Sequence, residues 1–377
     1  MTGDALARSD AIHARLAQVI ARYDEAAAAG ERVLDLGPEF DEIALDIASL
    51  QHSAQPGYAR LCAARGVTPS AAGRADALPA VPTDAFKLAR VSSFDEGAAV
   101  ATFLTSGTTV GARGEHAFRR LDTYRAAALA TARAWLLPGA TPPMQVAVLA
   151  PPPEQAPESS LGYMCARFVE AFGDGASADA TWLVSDGVID LRGFDERVSR
   201  GLTTGTPTLL LGASFAFVHL LDALGDDSFA LPPGSRVMTT GGFKGKSREV
   251  DGAELRADIA RALRVDTRAV VSEYGMTELS SQFYERTLAE ANAAPGVHAE
   301  PPWARVVPVD PDTLEPVPEG DVGIAKIIDL LNVDSAVAVL TQDRVRRVAG
   351  GFEILGRLPG APPRGCSLAI DELLGRA

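Results

Sequence analysis

Cysteine is scarce in this chain. Cys62, Cys165 and Cys366 are its three cysteines, too few and too scattered for a disulfide framework or a thiolate zinc site. The five histidines lack metal-ligand spacing, and each taken alone reads as an ordinary surface or core residue. Positive charge is also short: 35 Lys and Arg face 49 Asp and Glu, for a formal charge of -14. Nucleic-acid binding draws most of its affinity from clustered Lys and Arg. No such cluster occurs, so no nucleic-acid partner is expected. No apolar stretch is long enough to cross a bilayer, and the polar start from Met1 to Asp10 lacks the basic-then-apolar order of a secretory signal. A cytoplasmic protein without a membrane span is expected. A Walker phosphate loop is missing as well, because the nearest lookalike, Gly245-Lys246-Ser247, has Thr240 where the first glycine belongs.

What is present is a globular composition of 377 residues, 47% hydrophobic, enough for a large core and more than one lobe. From Asp10 onward Ile12, Leu16, Val19, Ile20 and Tyr23 recur at helical spacing, with Ser9 or Asp10 placed to cap the start and Gly30 to end it. A second helix is expected over 39–50, where Phe40, Ile43, Ile47 and Leu50 share a face, and Pro56-Gly57 stops it. Residues 1–95 thus read as a helical cap. Residues 96–294 alternate short apolar runs with helices, the pattern of a mostly parallel sheet. Strands are expected over 144–150, 206–211, 236–239 and 270–272, each followed by a polar or glycine-rich turn and then a helix. Ligands gather outside the carboxyl ends of such strands, so these turns are expected to converge. Residues 295–355 read as antiparallel β structure, with runs over 303–309, 324–331 and 336–341 and a last hairpin over 345–355. Pro359, Pro362 and Pro363 then lead into a short arm, 356–377, whose end fits two helical turns.

Four segments carry chemistry. Thr105-Ser106-Gly107-Thr108-Thr109, followed by Gly111, offers hydroxyls and unshielded backbone N–H groups that can wrap a triphosphate. Thr239-Thr240-Gly241-Gly242-Phe243-Lys244 offers the same kind of close approach. Glu273-Tyr274-Gly275-Met276-Thr277-Glu278 can set Tyr274 against a purine, Thr277 at an α-phosphate and Glu278 at its Mg²⁺. Its plain alternative is a strand end, a turn and a helix capped by Thr277. Singly these loops are common, but in this order they point to a bound nucleotide. The fourth segment, Arg364-Gly365-Cys366-Ser367, offers a thiol.

The combination resembles the superfamily that adenylates carboxylic acids, which includes acyl-CoA ligases, luciferase-type enzymes and peptide-synthetase adenylation domains. It is most similar to the LuxE-type acyl-protein synthetases of the bacterial bioluminescence fatty-acid reductase complex. The resemblance runs from about Gln51 to Leu368 and also rests on Pro82-Thr83-Asp84-Ala85-Phe86-Lys87 and Gly356-Arg357. It implies the large α/β N-terminal domain of an adenylate-forming enzyme over 1–355, with mostly parallel sheets flanked by helices and a smaller antiparallel β subdomain. The superfamily's usual mobile C-terminal domain, about a hundred residues or more, brings a catalytic lysine. Here about twenty residues follow Gly356-Arg357, so a very short tail stands in its place.

The resemblance further implies ATP and Mg²⁺. Thr105, Ser106, Gly107, Thr108, Thr109, Gly111, Gly241, Gly242, Phe243, Tyr274, Gly275, Met276 and Arg357 would form the nucleotide site, with Asp343 on the ribose hydroxyls. Thr277 and Glu278 would serve catalysis, and Lys244 or Lys87 would supply the missing positive charge. Cys366 would take the acyl group as a thioester, helped by Arg364 lowering the thiol pKa, and the arm would carry it to a reductase or acyltransferase subunit. Two alternatives stay open: transfer of the acyl group to CoA, a carrier protein or an amine, and an inactive scaffold of the same fold. The acid itself is not legible; Trp182, Phe215, Phe217 and Phe243 are pocket candidates, although such aromatics are usually core. Cys62 and Cys165 lie in helical stretches and read as core.

Overall fold

The computed structural model describes residues 2–105, 113–140, 142–241, 247–248, 250–360 and 364–376, with the backbone only at Asp179, Ala180 and Arg364. Ser106, Gly107, Thr108, Thr109 and Gly111, and likewise Gly242, Phe243 and Lys244, lie outside the described residues. The chain divides into two compact units: Met1–Ala130 with Met276–Phe283 and Gly296–Ala377, and Thr131–Gly275 with Tyr284–Pro295. The first unit is discontinuous and gathers the helical opening, the β-rich segment and the tail, where contiguous blocks were expected.

The second unit is built on a parallel sheet. The strands Gln145–Leu149, Thr208–Ala213, Arg236–Thr240 and Val270–Tyr274 pair in that spatial order, all parallel. Each falls on an expected strand. Covered on both faces, they read as near-continuous apolar runs; Leu209, Leu210, Leu211, Val237 and Val271 have no solvent exposure. The helices Ser160–Phe172, Ser214–Leu224 and Gly252–Leu263 follow the first three strands, as expected of crossover units. The fourth departs from expectation. No helix follows Tyr274, so Thr277 caps nothing; the chain makes a turn closed by Leu279 N–H donating to the Met276 carbonyl at 3.1 Å.

In the first unit, the long helix Gly3–Ala28 starts a full two turns before the expected point. Thr2, whose hydroxyl accepts from Ala5 N–H at 3.3 Å, is the cap in place of Ser9 or Asp10. Ser9 is buried within the helix and donates to Asp334 Oδ1 at 2.7 Å. The second helix runs Pro38–Ala54, past the expected end, and the buried Gln51 of the added turn donates from Nε2 to the Asn332 and Val333 carbonyls. Pro56 then opens a third helix, Pro56–Ala64, at the position where a missing N–H costs nothing. These helices pack on an antiparallel sheet whose order is Val297–His298, Gly351–Arg357, Ala338–Val348, Val322–Asp329, Ala304–Val309. Tyr23 meets Trp303 edge-on at 5.3 Å, and the Arg305 guanidinium lies 3.7 Å over Phe40. The short strand Val81–Pro82 adds to Ala338–Val348 in parallel.

The helix expected at the end of the tail is present and longer than expected, and it is docked rather than a free arm. Arg364–Leu374 is a helix packed on Pro56–Ala64, with Arg60 and Arg65 holding Leu373 O and Glu372. Its apolar face has a surface to bury, so it docks.

Of the aromatic pocket candidates, Phe217 has no exposure and sits in the second unit's core with Phe194, Leu210 and Val237, while Phe215 and Trp182 are half-buried. Phe243 lies outside the described residues. Phe217→Ala is therefore expected to cost about 3–5 kcal/mol of unfolding free energy, read from the urea midpoint. A cost below about 1 kcal/mol, the range of surface substitutions, would show that it lines an open pocket.

Candidate active site

At the carboxyl ends of the parallel strands, sequence and geometry agree on two adjacent positions. Thr240 ends one strand and Glu273 is its Cα partner on the next. The Thr240 hydroxyl donates to a Glu273 carboxylate oxygen, and both residues are buried. Burial pushes the Glu273 carboxyl up from 4.5 to about 7, with the Thr240 bond opposing the rise. The other carboxylate oxygen curls back over the following turn: a Cβ on Gly275 would meet Glu273 Oε1 at 2.4 Å. Any larger residue there would have to displace the Glu273 carboxylate. Gly241 stands just past Thr240 at φ +64°, a conformation other residues resist, and its carbonyl accepts from Ser214 Oγ at 2.9 Å. The second unit thus fixes Gly241, Tyr274 and Gly275 with backbone exposed for close approach.

The division between units falls inside the Tyr274–Glu278 segment, between Gly275 and Met276. From Thr277 on, buried side chains of the first unit pin the backbone. His116 Nδ1 lies 2.7 Å from the Thr277 carbonyl, and Asn332 Nδ2 donates to the Glu278 carbonyl at 3.0 Å. Asp329 accepts from Ser280 N–H and Ser281 N–H, both at 2.9 Å, and from the Ser281 hydroxyl at 2.6 Å. Ser280 Oγ donates to Asn332 Oδ1 at 2.7 Å. Asn332 is fixed in turn, since Gln51 Nε2 donates to its carbonyl at 2.7 Å. A stretch with no helix or strand is thereby made rigid, and the Glu278 carboxyl is held at 7% exposure.

Thr105 closes the neck of the Ser- and Thr-rich loop. Its N–H donates to Gly114 O and its hydroxyl accepts from Gly114 N–H, both at 2.8 Å. The flanking strands, Ala101–Leu104 and Glu115–Phe118, pair antiparallel.

Asp343 and Arg357 are Cα partners across neighbouring strands. Thr341, Gln342 and Asp343 stand opposite the single residue Ala325, a bulge that re-aims side chains. Gln342 Nε2 donates to Asp84 Oδ2 at 2.9 Å, and Lys87 Nζ donates to Asp84 Oδ1 at 2.7 Å. Lys87 is therefore spent in part on Asp84. The Cys366 thiol, 2% exposed, faces the same carboxylate. Burial pushes it up to about 11 and the Asp84 charge adds to the rise. The thiol sits in a docked helix, and the Arg364 side chain expected to activate it lies outside the described residues. Cys62 and Cys165 are buried core residues, as expected.

Among the described residues, no three His, Cys, Asp or Glu side chains are grouped to hold a metal, and no helix is long and apolar enough to cross a membrane. A small polar cavity beside the pinned segment is lined by His13, His116, Arg119, Ser280, Asn332 and Asp334. Its His13 and Arg119 side chains converge on Asp334, which also accepts from the Ser9 hydroxyl. Sequence reasoning missed His116, Asp329 and Asn332. For Asp329 and Asn332 a signal was present: Lys326, Asp329, Asn332, Asp334 and Ser335 interrupt an otherwise apolar stretch from Ile324 to Leu340, and buried polar groups in such places are hydrogen-bonded.

The fold has known counterparts. A 2-hydroxyisobutyryl-CoA ligase solved in complex with 2-HIB-AMP superposes with a TM-score of 0.60 at 16% identity, covering 85% of this chain and 68% of that one. ATP-bound MatB from Rhodopseudomonas palustris gives 0.50 at 18%, covering 70% of this chain and 49% of that one. The architecture is that of the large domain of acyl-adenylate-forming ligases. Residues 40–375 match the model of the acyl-protein synthetase family LuxE, and the chain belongs to that family. Two curated relatives, both long-chain-fatty-acid–luciferin-component ligases, are 24% identical over 179 residues (Aliivibrio fischeri; 44% of this chain and 45% of the relative) and 23% over 201 (Vibrio harveyi; 50% and 51%). The chain spans about half the length of the curated relatives it matches.

Because the folded state favours the neutral acid of Glu273, its contribution to stability is intact below pH 4.5 and lost as pH rises through about 7. Glu273→Gln should gain on the wild type across that window, by roughly 3 kcal/mol at its upper end, in urea unfolding at stepped pH. Parallel pH curves for the two proteins would mean that Glu273 ionises freely.

Proposed function

We propose that the protein activates a long-chain fatty acid with ATP as an acyl adenylate and passes the acyl group to a thiol. The observation that carries this reading is the rigid, irregular segment Thr277–Ser281, which lies in a chain of this family and fold. Rigid loops on a scaffold are where function concentrates.

In the first step a substrate carboxylate oxygen attacks the α-phosphorus of ATP, and the bond to the β-phosphate oxygen breaks to release pyrophosphate. Anion must approach anion, so the residues act by orientation and charge more than by covalent chemistry. Thr277 would hold the α-phosphate; Tyr274, Gly241 and Gly275 would bracket the base; Asp343 would take the ribose hydroxyls. Thr105, Ser106, Gly107, Thr108, Thr109 and Gly111 would hold the departing phosphates. Gly242, Phe243 and Met276 complete the proposed site, with Arg357 beside Asp343 and with Lys244 as the cation. The donor set fits Mg²⁺ as such ions usually bind, through one carboxylate, Glu278, together with triphosphate oxygens. When bound, the ion offsets charge that develops on those phosphates.

In the second step the Cys366 sulfur, its proton released to solvent, attacks the acyl carbonyl and AMP leaves, giving a thioester that a partner reductase or acyltransferase subunit would receive. Burial of the thiol requires the helix Arg364–Leu374 to shift first. The same burial favours a second reading, in which CoA, a carrier protein or an amine takes the acyl group and Cys366 is structural.

Incubation with ATP and labelled tetradecanoic acid should leave label on the protein that neutral hydroxylamine releases and that Cys366→Ser lacks. Label-free protein that forms acyl-CoA at the same rate with or without Cys366 would support the second reading. Glu278→Ala should abolish acid-dependent exchange of pyrophosphate into ATP; undiminished exchange would remove Glu278 from the metal role.

A further inference from the structure

His116 is a fully enclosed imidazole, 1% exposed, with a partner on each ring nitrogen. The Thr277 carbonyl, 2.7 Å from Nδ1, can only accept, so Nδ1 carries the proton. Nε2, 2.8 Å from Ser335 Oγ, then accepts from that hydroxyl. Burial holds the ring neutral, pushing it down from 6.5 to about 4, which agrees with this pairing. The ring is also wedged between aromatics, 4.2 Å from Phe118 and edge-on to Phe86 at 5.8 Å.

These partners come from separate parts of the first unit. His116 lies on Glu115–Phe118, the strand that leaves residues 106–112, just past the Thr105–Gly114 neck. Thr277 begins the pinned segment. Phe86 belongs to the Ala85–Leu88 turn of helix beside Asp84 and Lys87. Ser335 lies on the same short turn as Asn332, which holds the next carbonyl, that of Glu278. The carbonyls of Thr277 and Glu278 are thus fixed by one polar patch.

We propose that His116 is a positioning residue for ATP activation: its Nδ1–H sets the Thr277 carbonyl against the strand pair Ala101–Leu104 and Glu115–Phe118, so that Thr277 and Glu278 keep a fixed spacing from the Thr105–Gly114 neck. This rests on the adenylation reading above. An apolar residue of similar size would fill the same space yet leave the Thr277 carbonyl buried without its donor.

The test uses the full chain and two amide variants. His116→Asn puts an amide nitrogen near the Nδ1 position and keeps the donor to Thr277; His116→Gln puts it near Nε2 and loses that donor. Pyrophosphate exchange with MgATP and tetradecanoic acid should stay within a few-fold of wild type in the Asn variant. In the Gln variant kcat should fall roughly 10- to 100-fold, the effect of small misplacement at a reacting centre, with KM for ATP little changed and melting temperatures lowered alike in both. Equal exchange in the two variants would overturn the proposal and leave His116 a packing residue. If the wild type itself shows no exchange, the adenylation reading fails. The joint is still tested by ¹⁵N imidazole spectra: the neutral Nδ1-protonated form at neutral pH supports it, and the Nε2-protonated or charged form overturns it.

Discussion

The carboxylate of Asp329 has no solvent exposure, yet it accepts hydrogen bonds from three backbone N–H groups, of Ser280, Ser281 and Leu331, and from the Ser281 hydroxyl. Burial raises its pKa and these four bonds oppose the rise. An irregular segment cannot satisfy its own N–H groups as a helix does, so a buried acceptor must do so from outside. Asp329 does it for the end of the segment, and Asn332 and His116 supply donors to its carbonyls. Without them the chain after Gly275 would carry unpaired polar groups into the core, at about 1–3 kcal/mol each.

The second unit solves the matching problem with strands. Parallel pairing sets Thr240 beside Glu273, and the carboxyl group then serves both neighbours, accepting from the hydroxyl and crowding Gly275 into a bare turn. Gly241 contributes exposed backbone for the same reason. In each unit, backbone outside regular strands and helices is thus held by side chains of that same unit. The thiol is handled in the opposite way: Cys366 is covered, and burial favours retention of its proton.

Much of this was legible in the residues. The four parallel strands announced themselves because doubly covered strands are continuously apolar, as in Thr208–Ala213. The β-rich segment was legible from its apolar runs, and the hairpin expected over 345–355 falls within the pair Ala338–Val348 and Gly351–Arg357. Helix ends were read less well, since Thr2 and Pro38 act through local geometry that periodicity does not report. The helix expected after Tyr274 is absent because buried acceptors distant in sequence outcompete local propensity there. The burial of Cys366 was not legible for a similar reason: nothing near it in the chain reveals the surface of Pro56–Ala64 on which its helix packs.

The central claim is that the segment after Gly275 is ordered before any nucleotide arrives. Amide hydrogen exchange at Ser280 and Ser281 tests it most directly. Both amides should be protected in the ligand-free protein to the level of the neighbouring sheet strands and change little when MgATP is added. Exchange at the rate of an open loop, with protection gained only on adding MgATP, would contradict it.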